Sequence, residues 1–186
     1  MNKAFLKILD VSFLYDDKIF NDYYKQMPEY RRNKIDFFKF KKDRCLSLGA
    51  GILMNEIIQH AKENFSVQAD SSFEVAFSEQ GKPFFQYQQN LHFSLAHSGK
   101  KVIGAISLNR IGVDVEKIAE SSEINLTEWT KAESYAKATD ISLSDFIEGR
   151  LSLPPDSHFK QWTEDGYVFC VYEERRKKAQ KRNLFY

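Results

Sequence analysis

Alternation of apolar and polar residues predicts a run of β-strands in the centre of the chain. Between Leu91 and Leu95 every second residue is apolar, which is the period of two of a half-buried strand. Ser98-Gly99 interrupts this run as turn residues do, and residues 102–107 form a second apolar run. A third strand follows over residues 111–116, so two or three consecutive strands are expected here.

The third predicted strand carries two acidic residues on one face. Asp114 and Glu116 alternate with Val113 and Val115, so the two carboxylates point to the same side. Their backbone positions lie about 6.5–7 Å apart from the rise per residue of a strand. The side chains can therefore converge on one small hard cation, for which oxygen ligands are the normal choice. The alternative is the polar, solvated face of an edge strand.

The remaining periodicity predicts further elements on both sides of these strands. Strands are predicted over residues 3–13, 73–77 and 167–172, and helices over residues 16–24, 46–60 and 127–137. Residues 141–147 are predicted to form a short strand or turn, and residues 119–125 a polar connection. Only one strand is expected after Pro155.

Composition and charge narrow the class of protein. The chain has 186 residues and a formal net charge of +1, which argues against a general nucleic-acid binder. Residues 1–14 lack the apolar core of a signal peptide, and no apolar run approaches the ~20 residues of a membrane span. Cys45 and Cys170 fit no metal or redox spacing. We therefore expect a cytoplasmic protein with reduced thiols and no membrane or nucleic-acid partner.

A third acidic residue lies on the helix predicted over residues 127–137. Glu133 stands four residues after Trp129 and four before Lys137, so the three share one helical face. On spacing alone, an ordinary surface ion pair beside a packed tryptophan explains this pattern better. Together with Asp114 and Glu116, however, Glu133 would complete a three-carboxylate magnesium site. Such a site indicates phosphoryl or phosphodiester chemistry, because Mg²⁺ favours substrate phosphates.

Several cationic residues are candidates for binding a phosphorylated ligand. His97 precedes the Ser98-Gly99 turn, and Lys82 lies between a glycine and a proline. The stretch from Arg31 to Arg44 contains seven basic residues against two acidic ones and would suit a small polyanion. The alternatives are a structural histidine and a solvated helix face.

The order of these motifs resembles one enzyme family. The resemblance rests on the following segments: Arg44-Cys45-Leu46, Gly81-Lys82-Pro83, Ser94-Leu95-Ala96-His97-Ser98-Gly99, Ile111-Gly112-Val113-Asp114-Val115-Glu116, Trp129-(x)3-Glu133-Ser134-(x)2-Lys137 and Leu151-Ser152-Leu153-Pro154. In this order they resemble the surfactin-synthetase-type 4′-phosphopantetheinyl transferases. The resemblance implies transfer of the phosphopantetheine arm of coenzyme A to a serine of an acyl, peptidyl or polyketide carrier protein, with release of adenosine 3′,5′-bisphosphate.

The resemblance also implies a role for each candidate residue. Asp114, Glu116 and Glu133 would hold Mg²⁺ against the pyrophosphate of coenzyme A. Glu133 would be the base for the carrier serine, and Lys137 would neutralise charge on the transferring phosphate. His97 would contact the 3′-phosphate of coenzyme A, and Lys82 would lie near the nucleotide. Arg44, together with Arg31 or Lys34, would supply further positive charge.

The implied fold is α+β, with two similar lobes related by a pseudo-twofold axis and coenzyme A between them. The lobes would span residues 1–112 and 113–186, with a boundary near Gly112, and the protein would be a monomer. The second lobe would be truncated, because only twelve residues separate Glu116 from Trp129 where the family carries a further helical segment that helps to bind the carrier. The chain also has alanine where the family often has serine (Ala96) or a basic residue (Ala132).

Three functions are compatible with these motifs. The first is an active phosphopantetheinyl transferase that accommodates the shorter segment. The second is a degenerate relative that binds coenzyme A or a partner protein without turnover. The third is an unrelated magnesium-dependent phosphohydrolase with a similar three-acid site.

Overall fold

The computed structural model describes residues 4–65, 67, 72–119, 125–150 and 152–174 and has a mixed α+β fold. Its strands are β1 (Phe5–Asp10), β2 (Val75–Phe77), β3 (Pro83–Phe85), β4 (His92–Ser98), β5 (Lys101–Ser107), β6 (Ile111–Lys117), β7 (Phe159–Glu164) and β8 (Tyr167–Glu173). Its helices are α1 (Asp17–Lys25), α2 (Glu29–Asp36), α3 (Lys41–Asn64), α4 (Leu126–Thr139) and α5 (Ser144–Ile147). None of the helices within these ranges is both long and apolar enough to cross a bilayer.

Two three-stranded antiparallel sheets have the same relation to the chain. The first has the strand order β1-β5-β4 and the second the order β6-β8-β7, while β2 and β3 form a separate hairpin. In each sheet the first strand, β1 or β6, is followed along the chain by a long helix and then by a hairpin. The second strand of that hairpin, β5 or β8, pairs with the first strand of the sheet. The long helices are α3 and α4, respectively.

Serine hydroxyls connect the facing edges of these two sheets. Ser94 Oγ accepts a hydrogen bond from the Val113 N–H at 3.1 Å, and Ser98 Oγ accepts one from the Lys117 N–H at 3.1 Å. Both bonds span 19 positions, so β4 and β6 run side by side in the same direction. Ser94 and Ala96 are consequently buried, and the half-buried strand predicted from the alternation is in fact covered on both faces.

A close approach between α4 and β6 depends on Gly112. A Cβ atom at this position would lie 1.9 Å from the Ser134 carbonyl oxygen and 2.6 Å from the Ala138 nitrogen. Both atoms belong to the backbone of α4, so no side-chain movement relieves the contact. The absence of a side chain at Gly112 therefore allows the helix to lie directly on the strand.

The predicted elements are largely confirmed, but α2 and β3 lie where no helix or strand was predicted, and α3 begins at Lys41, before the predicted residue 46. Three further differences follow. The first strand ends at Asp10, because the Asp10 carboxylate accepts a hydrogen bond from the Ser12 N–H and starts a 3₁₀ turn. Residues 144–147 form the four-residue helix α5 where a short strand or turn was predicted. Two strands follow Pro155, because β7 precedes β8. Residues 120–124 of the predicted polar connection, and Leu151, lie outside the described residues.

Candidate functional site

Three carboxylates predicted from the sequence lie together. Asp114 and Glu116 on β6 and Glu133 on α4 each offer an oxygen atom, and these atoms all lie within 4.8 Å of one another. They form the carboxylate cluster. Gly112, Asp114 and Glu116 alternate along β6 and share the face on which α4 packs. The close contact at Gly112 thus brings the helix acid to the two strand acids.

Lys137 lies inside this cluster. Its Nζ atom is 2.6 Å from Asp114 Oδ1 and 2.8 Å from Glu133 Oε2. Burial alone would lower the pKa of Lys137, but the two carboxylates raise it above the ordinary lysine value. The ammonium group therefore stays charged, and it supplies one positive charge to three acidic side chains.

Asp114 is the buried member of the cluster, with 2% of its surface exposed. Burial raises the pKa of Asp114 to about 7, against the opposing effect of Lys137 and with further contributions from Glu133 and Glu116. Its Oδ2 atom is buried without a hydrogen-bond donor. The alternative of a solvated edge-strand face is therefore wrong for this residue.

The cluster fits a small divalent cation. A buried carboxylate oxygen without a donor is costly unless a cation or donor compensates it. Hard cations such as Mg²⁺ take oxygen ligands, and a 2+ charge would balance the two excess negative charges left after Lys137. Ser98 Oγ donates to Glu116 Oε2 at 2.9 Å and so fixes the orientation of a second carboxylate.

A pocket of about 320 Å³ borders this cluster, and we call it the carboxylate pocket. Glu133 and Lys137 line one side, and the turn of the β2–β3 hairpin lines another. Ile141 and Leu143, which follow α4, provide part of an apolar wall. The arrangement places two ionisable side chains of α4 at the edge of an apolar cavity, as in many small-molecule sites.

A second pocket, of about 270 Å³, lies beside the first and is called the basic pocket. The two share Pro83, Phe93 and Leu95 as lining residues. Arg31, Lys34 and His97 all line the basic pocket, and none of the described residues that line it is acidic. Three of the five predicted coenzyme A contacts are therefore brought together in one cavity.

Arg31 is half-buried, Lys34 and His97 are exposed, and the surroundings of all three disfavour their positive charge. Burial lowers the pKa of Arg31 and of Lys34, and the charge of Arg31 lowers the pKa of Lys34 further. Desolvation and Lys137 lower the pKa of His97. Arg31 Nη2 donates to the Ser47 carbonyl at 2.5 Å, while Arg31 Nε is buried without a partner. An anion would relieve these costs.

The two other predicted contacts lie elsewhere. Lys82 lines the carboxylate pocket, where burial lowers its pKa, and its Nζ atom donates to the Ala138 carbonyl at 2.9 Å. Arg44 lines neither pocket; its Nη2 atom is 3.0 Å from Asp36 Oδ1, and its guanidinium lies 5.3 Å from the centre of the Phe20 ring.

Other residues of the site were not singled out from the sequence. Ser98 orients Glu116, Ser94 joins β4 to β6, and Asp140 accepts a hydrogen bond from Ser78 at the end of α4. The alternation on β4 was a usable signal for the serines, because it places them on the face opposite His97. Asp140 carried no comparable signal.

Comparison with known proteins gives a consistent set of relatives, although no protein-family model matches the chain. The protein named 4′-phosphopantetheinyl transferase ffp of Bacillus subtilis is 30% identical over 165 residues, covering 74% of this chain and 67% of the relative. The 4′-phosphopantetheinyl transferase Sfp of Bacillus subtilis strain 168 is 32% identical over 160 residues, covering 76% and 68%. The 4′-phosphopantetheinyl transferase gsp of Aneurinibacillus migulanus is 34% identical over 76 residues, covering 38% and 31%.

Proposed function

Because the chain belongs to the 4′-phosphopantetheinyl transferase family, we propose that it transfers the 4′-phosphopantetheine arm of coenzyme A to a serine of a carrier protein. The reaction would depend on Mg²⁺ and release adenosine 3′,5′-bisphosphate. The observation that carries the proposal is the convergence of three carboxylates within 4.8 Å beside a lysine and a pocket. A catalytically inactive relative would not need this costly burial of charge.

The carboxylate cluster would hold the cation. Asp114, Glu116 and Glu133 are the proposed ligands, and the unpartnered Asp114 Oδ2 supports the assignment. When bound, Mg²⁺ supplies positive charge to the pyrophosphate of coenzyme A and to its leaving group.

Two residues of α4 would act on the reacting groups. Glu133 would accept the proton of the carrier serine hydroxyl, directly or through a water molecule, as the serine oxygen attacks the phosphorus next to the pantetheine arm. The bond from that phosphorus to the bridging oxygen breaks, and adenosine 3′,5′-bisphosphate leaves with the bond electrons. Lys137, one helical turn after Glu133, would stabilise the negative charge that develops on the transferring phosphate.

The basic pocket would bind the phosphorylated nucleotide end of coenzyme A. Arg31, Lys34 and His97 line it, and the buried Arg31 Nε atom without a partner supports a role in binding an anion. Charge-assisted hydrogen bonds to phosphate are among the strongest that a protein makes. Arg44 is not included in this set because its guanidinium is paired with Asp36.

The domain organisation is also a proposal. We infer two lobes that meet near Gly112, and the equal strand orders β1-β5-β4 and β6-β8-β7 support it. The connection from β6 to α4 has only eight residues, 118–125. A carrier-binding surface that resides in this connection in related proteins would therefore be reduced here.

The test is a transfer assay with coenzyme A, Mg²⁺ and an apo carrier protein, followed by the intact mass of the carrier. A gain of one phosphopantetheine unit supports the proposal. Glu133→Gln should lose the gain, whereas Glu128→Gln on the same helix should retain it, because Glu128 pairs with Lys131 outside the cluster. No gain with several carriers, despite calorimetric binding of coenzyme A, would indicate the non-catalytic alternative.

A further inference from the structure

We infer that Ser78, Lys82 and Asp140 are positioning residues that fasten the β2–β3 hairpin to the end of α4 and thereby hold the wall shared by the two pockets. The identity of the ligand rests on the proposed function. The inference assigns Lys82 to the support of the pocket wall, in contrast to the direct nucleotide contact that the sequence resemblance implies.

Side-chain hydrogen bonds connect the hairpin turn with the helix end. Ser78 Oγ donates to Asp140 Oδ1 at 2.9 Å and accepts from the Lys82 N–H at 3.0 Å. Lys82 Nζ donates to the Ala138 carbonyl at 2.9 Å. The bonds to Ala138 and Asp140 join residues 56 and 62 positions apart in the chain, respectively. We refer to Ser78, Lys82 and Asp140 as the hairpin tie.

The helix end is suited to receive this tie. Asp140 follows α4 in the left-handed conformation (φ +60°), and its N–H bonds to the Ala136 carbonyl. The last carbonyls of a helix lack partners within it, and a cation near them is favourable. Lys82 supplies that cation at Ala138. Its ammonium group therefore already has a defined partner on the protein.

The hairpin needs external support more than the helix does. An isolated two-stranded hairpin is at best marginally stable, and β2 and β3 have only three residues each. Phe85 anchors the end remote from the turn, because it is buried and its ring centre lies 4.4 Å from that of Phe93, so the turn is the end that needs support. The α4 helix, by contrast, rests on β6 at Gly112 through contacts between backbone atoms. The tie therefore fixes the hairpin relative to α4.

The hairpin contributes to both pockets. Its turn, residues 80–83, lines the carboxylate pocket, and Val75 and Phe77 line the basic pocket. Pro83 lines both. Releasing the hairpin would loosen one wall of each pocket without moving Glu133 or Lys137. We therefore expect loss of the tie to weaken binding of coenzyme A and to leave the turnover rate at saturating coenzyme A unchanged.

Calorimetry of the full chain with coenzyme A and Mg²⁺ tests this inference. Ser78→Ala, Asp140→Gly and Lys82→Met should each raise the dissociation constant about tenfold, the loss expected for one such hydrogen bond. Asp140→Gly keeps the left-handed backbone accessible, and Asp140→Asn should restore affinity because it retains the acceptor oxygen. The dissociation constant of the double variant Lys82→Met/Asp140→Gly should exceed that of the more weakly binding single variant by no more than about twofold. The two effects do not add, because the three residues form one connected set of hydrogen bonds.

Other results would overturn the inference. If Lys82→Met weakens binding while Ser78→Ala and Asp140→Gly leave it within about twofold, Lys82 contacts the ligand directly. The inference would also be contradicted if the turnover rate of Asp140→Gly at saturating coenzyme A fell by as large a factor as its affinity for coenzyme A.

A measurement without ligand separates this inference from the proposed function. Hydrogen exchange of the Ser78 and Gly81 amides, which are bonded within the turn, should accelerate at least about tenfold in Asp140→Gly, while the exchange of β6 stays constant. Unchanged exchange of the turn would refute the tie. If the wild-type chain binds no coenzyme A but the exchange result holds, only the proposed function fails.

Discussion

Replacing Asp114 by asparagine should change how the stability of the metal-free protein depends on pH. Asp114 is 2% exposed, and burial raises its pKa from 3.8 to about 7. The folded protein therefore holds this proton more tightly than the unfolded chain does. The resulting stabilisation is fully present below pH 3.8 and is lost as the pH rises through about 7.

The magnitude follows from the two pKa values. Between pH 5 and pH 8 the free energy of unfolding should fall by about 2–3 kcal/mol through this one carboxyl group. The asparagine variant lacks this loss. Its amide nitrogen would replace the unpartnered Oδ2 atom at a cost of about 1–3 kcal/mol, but that cost does not depend on pH. The informative quantity is therefore the difference in free energy of unfolding between variant and wild type, and how that difference changes with pH.

Urea unfolding at pH 5 and pH 8 in the presence of a chelator measures this quantity. Asp156→Asn is the control, because that carboxylate is 86% exposed and lies outside the cluster. The reasoning would be refuted if the free energies of unfolding of wild type and Asp114→Asn differed by the same amount at both pH values, within about 0.5 kcal/mol. Saturating Mg²⁺ should stabilise the wild type at pH 8 and leave Asp114→Asn unchanged.

Further predictions concern the basic pocket and the contact between α4 and β6. Arg31→Gln should raise the dissociation constant of coenzyme A at least about tenfold, whereas Arg44→Gln should keep it within about twofold in the same calorimetric titration; equal effects would remove the distinction. Near pH 6.5–7 the wild type should take up protons on binding coenzyme A, because an anion raises the lowered pKa of His97; calorimetry in two buffers of different ionisation enthalpy should show less uptake in His97→Gln. Gly112→Ala should lower the free energy of unfolding by at least about 3 kcal/mol, since its Cβ would overlap the backbone of α4; a urea midpoint equal to that of the wild type would contradict this.

The carboxylate cluster was predictable because its geometry is mostly local. Asp114 and Glu116 share a face through the period of a strand, and Glu133 and Lys137 share one through the period of a helix. The sequence did not indicate that Lys137 contacts a residue of β6, because that contact depends on the packing at Gly112. The residue types suggested that the two faces could share one cation, and the ordered resemblance to a known family supported that interpretation.

Elements with weak or misleading periodicity were predicted poorly. β7 is an edge strand, and most of its side chains are exposed or half-buried, so its apolar pattern is faint. Residues 141–147 have an apolar pattern that resembles a strand, yet four of them form α5. Arg150 lies over this turn and pairs with Asp145, a contact that periodicity does not encode.

The basic cluster shows how proximity in sequence can mislead. Arg31, Lys34 and Arg44 belong to one charged stretch of the sequence. The chain leaves α2 after Asp36 and begins α3 at Lys41, so the arginines lie on different helices. Arg31 lines the basic pocket, whereas Arg44 pairs with Asp36. Charge density along the chain therefore did not indicate which of these basic residues would share a cavity.

The opposite charges of the basic pocket and the carboxylate cluster give a physical reason for a cation in the proposed reaction. Three basic residues line the basic pocket and would attract phosphate groups, but the carboxylate cluster beside the other pocket carries three acids against the single charge of Lys137. When all three are ionised, this excess of two negative charges repels a pyrophosphate at short range, and low solvent access strengthens the repulsion. A divalent cation would cancel the excess and add the charge-stabilising group that phosphoryl transfer requires. Binding of the nucleotide end and activation of the pyrophosphate would thus depend on different residues, so loss of Mg²⁺ should impair transfer far more than it impairs binding of adenosine 3′,5′-bisphosphate.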